Sequence, residues 1–252
     1  MSLFRYNQST AIGTFKHHME RNTHMGKILV ICGDIWHPAE VIREGFSYLT
    51  EYYDRMTFVE DAKDMLTAAD LTQYDLVISC KGNHLTSGNS ATWFEDGVNE
   101  CTPKDFADYV KNGGGFLAVH AGASFTEKNM AENTIHSARD YINLVGCQFV
   151  THPPRCPVTY RVLDVPHPVT AGVESFCERD EHYQIEMSVE DALVLMESTS
   201  DHAAAMPAAY VREMGRGRLC TLIPGHILAV WQNPQFQKLL VNAMNWCMHK
   251  EK

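Results

Sequence analysis

The sequence predicts an α/β fold: a mostly parallel sheet with helices on both faces and additional β-strands in the C-terminal half. Three observations carry this expectation. Short, nearly continuous apolar runs recur at 26–32, 56–59, 76–78 and 116–119, the pattern of strands buried on both faces. Helical periodicity lies between several of them, and strands alternating with helices assemble into a parallel sheet through right-handed crossovers. From about residue 147 the texture changes to Pro-rich loops, HPPRCP and VPHPV, with short apolar runs between them.

Taken in order, residues 1–25 read as a polar tail that lacks the apolar core of a secretory signal, and Met25 is an alternative start. Residues 26–252 then form one domain, with no internal repeat, low-complexity segment or linker. Gly26–Cys32 is the first strand, and Ala39 to about Thr50 a helix with Val41, Ile42, Phe46 and Leu49 on one side. The strands Met56–Val59 and Leu76–Ile78 flank a helix around 62–71. Thr102 is a helix N-cap, Pro103 suits the first helical position and Gly113 the stop. The runs at 158–163, 193–196, 207–211 and 219–223 are further strands, several of them antiparallel. Gly215-Arg216-Gly217-Arg218 has neither the spacing nor the following helix of a phosphate loop and reads as a tight turn. Asn233-Pro234 opens a closing helix striped by Phe236, Leu239, Leu240, Ala243 and Trp246.

Length and composition bound the function. A chain of 252 residues, 45% hydrophobic and 21% charged, is globular and suits one large domain. The net charge is 21 − 31 = −10, without a basic block. Such a surface repels phosphate backbones, which argues against nucleic acid and anionic membranes as partners. No apolar run approaches the roughly 18 residues of a membrane span. Eight cysteines without a CxxC pair read as buried free thiols, which points to a reducing, cytoplasmic location. Homo-oligomerisation is compatible with all of this.

In open α/β sheets reactive groups collect beyond the carboxyl ends of the strands. Four loops at that edge each carry a histidine: Trp36-His37 after Cys32, His84 after Cys80, His120 itself, and Pro224-Gly225-His226 after Ile223. The stretch GGGFLAVHAGASF, residues 113–125, has the layout of a nucleophile elbow: a strand, one reactive side chain, then a turn crowded with small residues. Histidine there suits proton transfer, substrate hydrogen bonding or metal ligation; a strand end whose histidine caps a carbonyl is the competing reading. In Arg179–Gln184, period-2 alternation puts Glu181 and Tyr183 on one face and Asp180 and His182 on the other. Glu181 with Tyr183 then makes an acid/base and hydrogen-bonding pair, with solvated charges on an edge strand as the alternative. His152 and His167 each precede a proline, which holds them extended. His152 is expected to line the site and His167 to serve a turn. His37, His120, Glu181 and His226 together offer a donor set for a divalent metal such as zinc, although none of their spacings is a metal signature.

The chain resembles the trehalose-utilisation family of ThuA-like proteins over residues 27–247. The resemblance rests on the WH loop, GGGFLAVHAG, QFVTHPP, HPVTAGVESF, DEHYQIE, GRGRLCTLIPGH and NPQFQKLLVNAMNW, in that order. It implies a flavodoxin-like sheet related to class I glutamine amidotransferases. Their cysteine nucleophile position matches His120 and their triad histidine matches His226, while the acid expected two residues later is Leu228. With nucleophile and orienting acid both replaced, glutaminase chemistry is excluded.

The resemblance also implies sugar catabolism, beside oxidoreductases that make 3-keto derivatives of disaccharides and glycosides. The expected function is a lyase or hydrolase acting on such a small-molecule sugar by acid/base elimination and hydration. Its catalytic residues are His120, Glu181 and His226, with Trp36, His37, His152, Asp180 and Tyr183 binding substrate. The alternative is a non-catalytic sugar-binding or regulatory module on the same fold. In either case Trp36, Trp93 and Phe94 are candidates to stack on a sugar ring. A flavodoxin-type electron carrier is disfavoured because no phosphate-cradling loop follows the first strand.

Overall fold

Alternate residues of the apolar runs face two different helical layers. A computed structural model describes residues 26–34, 36–60, 67–82, 101–125 and 135–251, with side chains of 135–138 excepted. In β1 (Ile28–Ile31), Ile28 and Val30 pack into one core and Leu29 and Ile31 into the other, all four fully buried. The same alternation holds in β4 (Gly115–Val119), where Leu117 and Val119 oppose Phe116 and Ala118. This is why the runs read as continuously hydrophobic: neither face meets water.

Among the described residues the main sheet has nine strands. Its parallel part is ordered β2 (Met56–Val59), β1, β3 (Leu76–Ser79), β4, β11 (Gly217–Leu222), the 2-1-3-4-5 order of a flavodoxin-like fold. The additional strands extend the same sheet antiparallel: β10 (Ala203–Met214), β9 (Leu193–Ser200), β6 (Cys156–Val162) and β7 (Phe176–Asp180). A separate antiparallel pair joins β5 (Cys147–Thr151) to β8 (Gln184–Met187). One face is covered by α1 (Ala39–Ser47), α6 (Leu228–Gln232) and α7 (Pro234–Cys247). The other is covered by α3 (Ala68–Leu71), α4 (Pro103–Lys111) and α5 (Ile135–Val145).

The helix starts follow side-chain chemistry. At Thr102 the backbone N–H and the hydroxyl both donate to the Asp105 carboxylate, at 2.8 and 2.7 Å, and Pro103 opens α4. Asn233 caps α7 by accepting from the N–H of Gln235 at 2.9 Å. The hairpin between β10 and β11 turns at Gly215, whose φ is +62°, so Gly215–Arg218 is a turn and not a phosphate loop. All eight cysteines are free, and all but Cys177 are buried.

Three local expectations are corrected. The helix expected to run to about Thr50 stops at Ser47 because Leu49 leaves the helical region, at φ −98° and ψ 62°, to bury its side chain; a short α2 (Thr50–Tyr53) follows. Of the helix expected around 62–71, α3 at 68–71 starts after Thr67, which is extended at φ −109° and ψ 163°, and residues 61–66 lie outside the described ones. The extended run expected at 179–184 breaks between two sheets. Asp180 ends β7, Gln184 starts β8, and Glu181–Tyr183 form the crossing, where the Tyr183 N–H donates to the Glu181 carbonyl at 3.1 Å.

Candidate functional site

The loops after β1, β4 and β11 all emerge at the carboxyl edge of the parallel strands, beside the crossing from β7 to β8. His120 starts a 3-10 turn directly after β4 with φ +45°; with His249 it is one of two non-glycine residues at positive φ among those described. That strained conformation is the mark of an elbow. It persists because its surroundings leave no alternative. A Cβ on Gly122 would lie 2.0 Å from the carbonyl oxygen of Ser79, so only glycine fits there. The Tyr141 hydroxyl bridges Ser79 Oγ at 2.8 Å and the Gly122 carbonyl at 2.9 Å, tying the turn to β3. The imidazole itself is locked by a 2.8 Å bond from Nδ1 to the Ile223 carbonyl.

His37 and His226 meet His120 from neighbouring loops. The three ring centroids are separated by 5.1, 5.1 and 5.3 Å, with near-perpendicular planes. Glu181 Oε2 stands 3.2 Å from His226 Nδ1, 3.5 Å from His120 Nε2 and 3.6 Å from His152 Nε2. His37 Nε2, His120 Nε2 and His226 Nδ1 are buried without a hydrogen-bond partner. One ring nitrogen from each of these histidines and a Glu181 oxygen form a set of four donors that all lie within 4.8 Å of one another. Buried polar atoms are normally paired, and imidazole nitrogens left without a hydrogen bond beside a carboxylate are the kind of donors a divalent ion takes. Among the described residues, this cluster is able to hold a divalent ion.

Electrostatics prepare the set. Burial works to raise Glu181, but the neighbouring His120, His226 and His152 outweigh it and bring its pKa down to about 2, so the carboxylate is ionised. Burial, helped by the charge of His120, lowers His226 to about 4 and leaves it neutral at pH 7. Burial also pulls His120 down, but the Glu181 and Asp180 carboxylates outweigh it and raise its pKa. A cation at this spot would displace that proton.

The other expected residues divide. His152 is part-exposed at the outer side of Glu181, with Nδ1 bonded to the Pro153 carbonyl at 2.8 Å. Trp36 is 60% exposed beside His37. Tyr183 is buried and stacks on the His120 ring, centroids 4.2 Å apart, so it backs that ring and does not open onto the cleft. Asp180 also lies behind the site. It is fully buried, and its carboxylate accepts from the N–H groups of Gly225 at 2.9 Å and His226 at 3.0 Å and from the Tyr160 hydroxyl at 2.7 Å. Its oxygens accept from these protein donors. His182 turns away to Ser200 Oγ at 2.8 Å, and His167 caps its own turn by accepting from the Val169 N–H at 3.2 Å. His84, Trp93 and Phe94 lie outside the described residues.

Sequence reasoning missed Asp34. Its carboxylate accepts from the N–H groups of Trp36, His37 and Gly82 and bonds the His37 ring, and those contacts overcome burial and lower its pKa to about 2. The available signal was an aspartate just past a strand end and three residues before a histidine. The Ile223 carbonyl was missed as well, since a backbone acceptor leaves no trace in residue type.

No curated protein sequence matches the chain. Among solved structures, a ThuA-like protein from Bacteroides uniformis ATCC 8492 is 19% identical with a TM-score of 0.66, covering 90% of this chain and 92% of that one. A ThuA-like protein from Parabacteroides merdae ATCC 43184 is also 19% identical, TM-score 0.66, with 88% and 90% covered. A cytoplasmic protein from Salmonella typhimurium LT2 is 18% identical, TM-score 0.55, with 90% and 99% covered. At these identities the likeness concerns the fold alone. No helix among the described residues is long and apolar enough to cross a membrane. The family model for trehalose utilisation, ThuA, matches residues 27–247, nearly the whole chain, and the chain therefore belongs to the trehalose utilisation family.

Proposed function

We propose that this chain is a carbohydrate-processing enzyme acting on 3-keto derivatives of disaccharides or glycosides, at a divalent-metal site made by His37, His120, His226 and Glu181. The observation that carries the reading is the convergence of three buried, unpartnered imidazole nitrogens on one carboxylate. Membership of the trehalose utilisation family supports a sugar substrate. Zinc suits such nitrogen and oxygen donors, and a divalent ion held there supplies a Lewis acid that stabilises negative charge on a ketone oxygen.

The chain's own residues do the rest. A ketone at C3 acidifies the C2–H bond. Glu181 takes the C2 proton on a carboxylate oxygen, the electron pair expels the C1 substituent, and the leaving oxygen departs with a proton. Water then adds at C1 as C2 regains its proton, so the net change is hydrolysis. His152, at the outer side of Glu181, is the proposed donor of the proton to the leaving oxygen. The exposed indole of Trp36 offers a face to the sugar ring. Tyr183 and Asp180 serve by holding His120 and the His226 loop.

The test is a screen of oxidised and unoxidised disaccharides with product detection. Turnover of a keto-glycoside is expected, lost after chelation and restored by one added metal. His120→Ala and Glu181→Gln are each expected to lower it by about two to four orders of magnitude. Saturable sugar binding without product would favour a binding module. Unchanged activity after exhaustive chelation would remove the metal, and full activity in both variants would remove these residues from the chemistry.

A further inference from the structure

An amidotransferase-type histidine takes its orienting acid from two residues downstream, and here that position is Leu228 on α6. A carboxylate of the same kind stands elsewhere, on the first loop. Both oxygens of Asp34 lie close to His37 Nδ1, Oδ1 at 2.8 Å and Oδ2 at 3.0 Å. The Asp34 side chain is fully buried and His37 is 5% exposed, so no water competes for this contact. A carboxylate only accepts, so the ring nitrogen facing it carries the proton. In a neutral imidazole the proton on Nδ1 leaves a lone pair on Nε2, and His37 Nε2 is a buried atom without a hydrogen-bond partner on a residue of the cluster.

We propose that Asp34 is a positioning residue of the metal centre: it fixes His37 as the Nδ1–H tautomer, turns the Nε2 lone pair inward, and so sets the affinity for the ion. This rests on the metal reading of the site given above. Metal-ligating histidines commonly donate their second N–H to a carboxylate or a backbone carbonyl, which fixes the ring and raises its basicity. Both forms occur here, the carboxylate on His37 and the Ile223 carbonyl on His120. Only the first is open to side-chain substitution.

Asp34 also organises its loop, because Oδ1 accepts from the N–H of Trp36 at 2.8 Å and of His37 at 2.9 Å, and Oδ2 from that of Gly82 at 2.7 Å. The experiment therefore separates a loop role from a metal role. Metal-stripped wild type, Asp34→Asn, His37→Ala and the double variant are titrated with Zn²⁺ against a competing chelating dye. Asp34→Asn is expected to weaken Zn²⁺ binding by about 10–100-fold in the wild-type background and to cause no further loss where His37 is already alanine. Equal affinity of wild type and Asp34→Asn would overturn the proposal, and so would the same loss in both backgrounds, which is what loop disorder alone produces.

Should Asp34→Asn fail to fold, ¹⁵N NMR of the metal-free wild type reads the tautomer directly. A proton on His37 Nδ1 with Nε2 bare supports the proposal, and a proton on Nε2 overturns it. If the wild type binds no Zn²⁺, the metal reading falls, while the tautomer measurement still decides whether Asp34 holds the ring.

Discussion

Asp180→Asn is expected to destabilise the chain and to displace His226, although Asp180 touches nothing in the cleft. The wild-type carboxylate is fully buried and receives three donors: the Tyr160 hydroxyl at 2.7 Å, Gly225 N–H at 2.9 Å and His226 N–H at 3.0 Å. An amide keeps one accepting oxygen and sets an NH₂ group against a backbone N–H. One backbone donor loses its partner and the new NH₂ finds none, each at about 1–3 kcal/mol, so the total is about 2–6 kcal/mol. For a chain of this size that lowers Tm by about 4–24 °C. Asp180→Ala strands all three donors and is expected to cost more. Tyr160→Phe keeps both backbone bonds and removes one hydrogen bond to a carboxylate, at about 1.5–3 kcal/mol. Urea denaturation with m-values measures all three, and Zn²⁺ titration of the folded Asn variant reads the displaced histidine. The reasoning fails if Asp180→Asn lies within 0.5 kcal/mol of wild type, the scatter of inert surface changes, or if Tyr160→Phe proves the more damaging.

Two other substitutions test the frame. Gly122→Ala puts a Cβ 2.0 Å from the Ser79 carbonyl oxygen, and a backbone clash in a central strand is expected to cost about 3 kcal/mol or more; an unchanged urea midpoint would show the elbow to be plastic. His167 uses Nδ1 as an acceptor for the Val169 N–H, and burial, then the charge of Arg218, lowers its pKa from 6.5. The unfolded chain therefore binds this proton first, and the contribution of His167 is present above pH 6.5 and lost as pH falls below it. His167→Asn keeps an accepting oxygen without the titration, so its urea midpoint should fall less than that of wild type between pH 7.5 and 5.5; parallel slopes would refute this.

The parallel half of the fold was legible because its strands are buried on both faces, and few patterns other than Ile28–Ile31 or Leu76–Ser79 produce four buried residues in a row. The strand content after residue 147 was visible as runs, but not its pairing. β6, β9 and β10 prolong the parallel sheet while β5 and β8 leave it, a choice made by contacts far apart in sequence. Glu181 was found for a reason that the structure alters. Alternation put it beside Tyr183, and both do face His120, yet they do so from a crossing between sheets and not along a strand. Asp180 shows the limit of residue type. An aspartate next to the site residues carries the same signal whether it meets a substrate or three protein donors, and only its burial separates the two.

The histidine at the elbow combines two unfavourable features that one ligand would reconcile. A non-glycine residue at φ +45° stores on the order of 1–3 kcal/mol of strain, and three imidazole nitrogens sit buried without partners. A fold under selection for stability alone would retain neither. An ion bound to the folded chain recovers the lost interactions, and binding to the native state alone stabilises it by mass action: about 2.7 kcal/mol at a concentration 100 times the Kd. That corresponds to a rise in Tm of about 5–11 °C for a chain of this size. Thermal unfolding of the metal-stripped protein with added Zn²⁺, Co²⁺, Mn²⁺ or Mg²⁺ is therefore expected to show this rise for at least one of them. His120→Ala removes the donor but keeps a Cβ at positive φ, so the strain remains, and the variant should lose most of the metal-induced shift. A shift of equal size in His120→Ala would place the ion elsewhere, and no shift with any of the four would mean that the converging nitrogens serve the substrate directly.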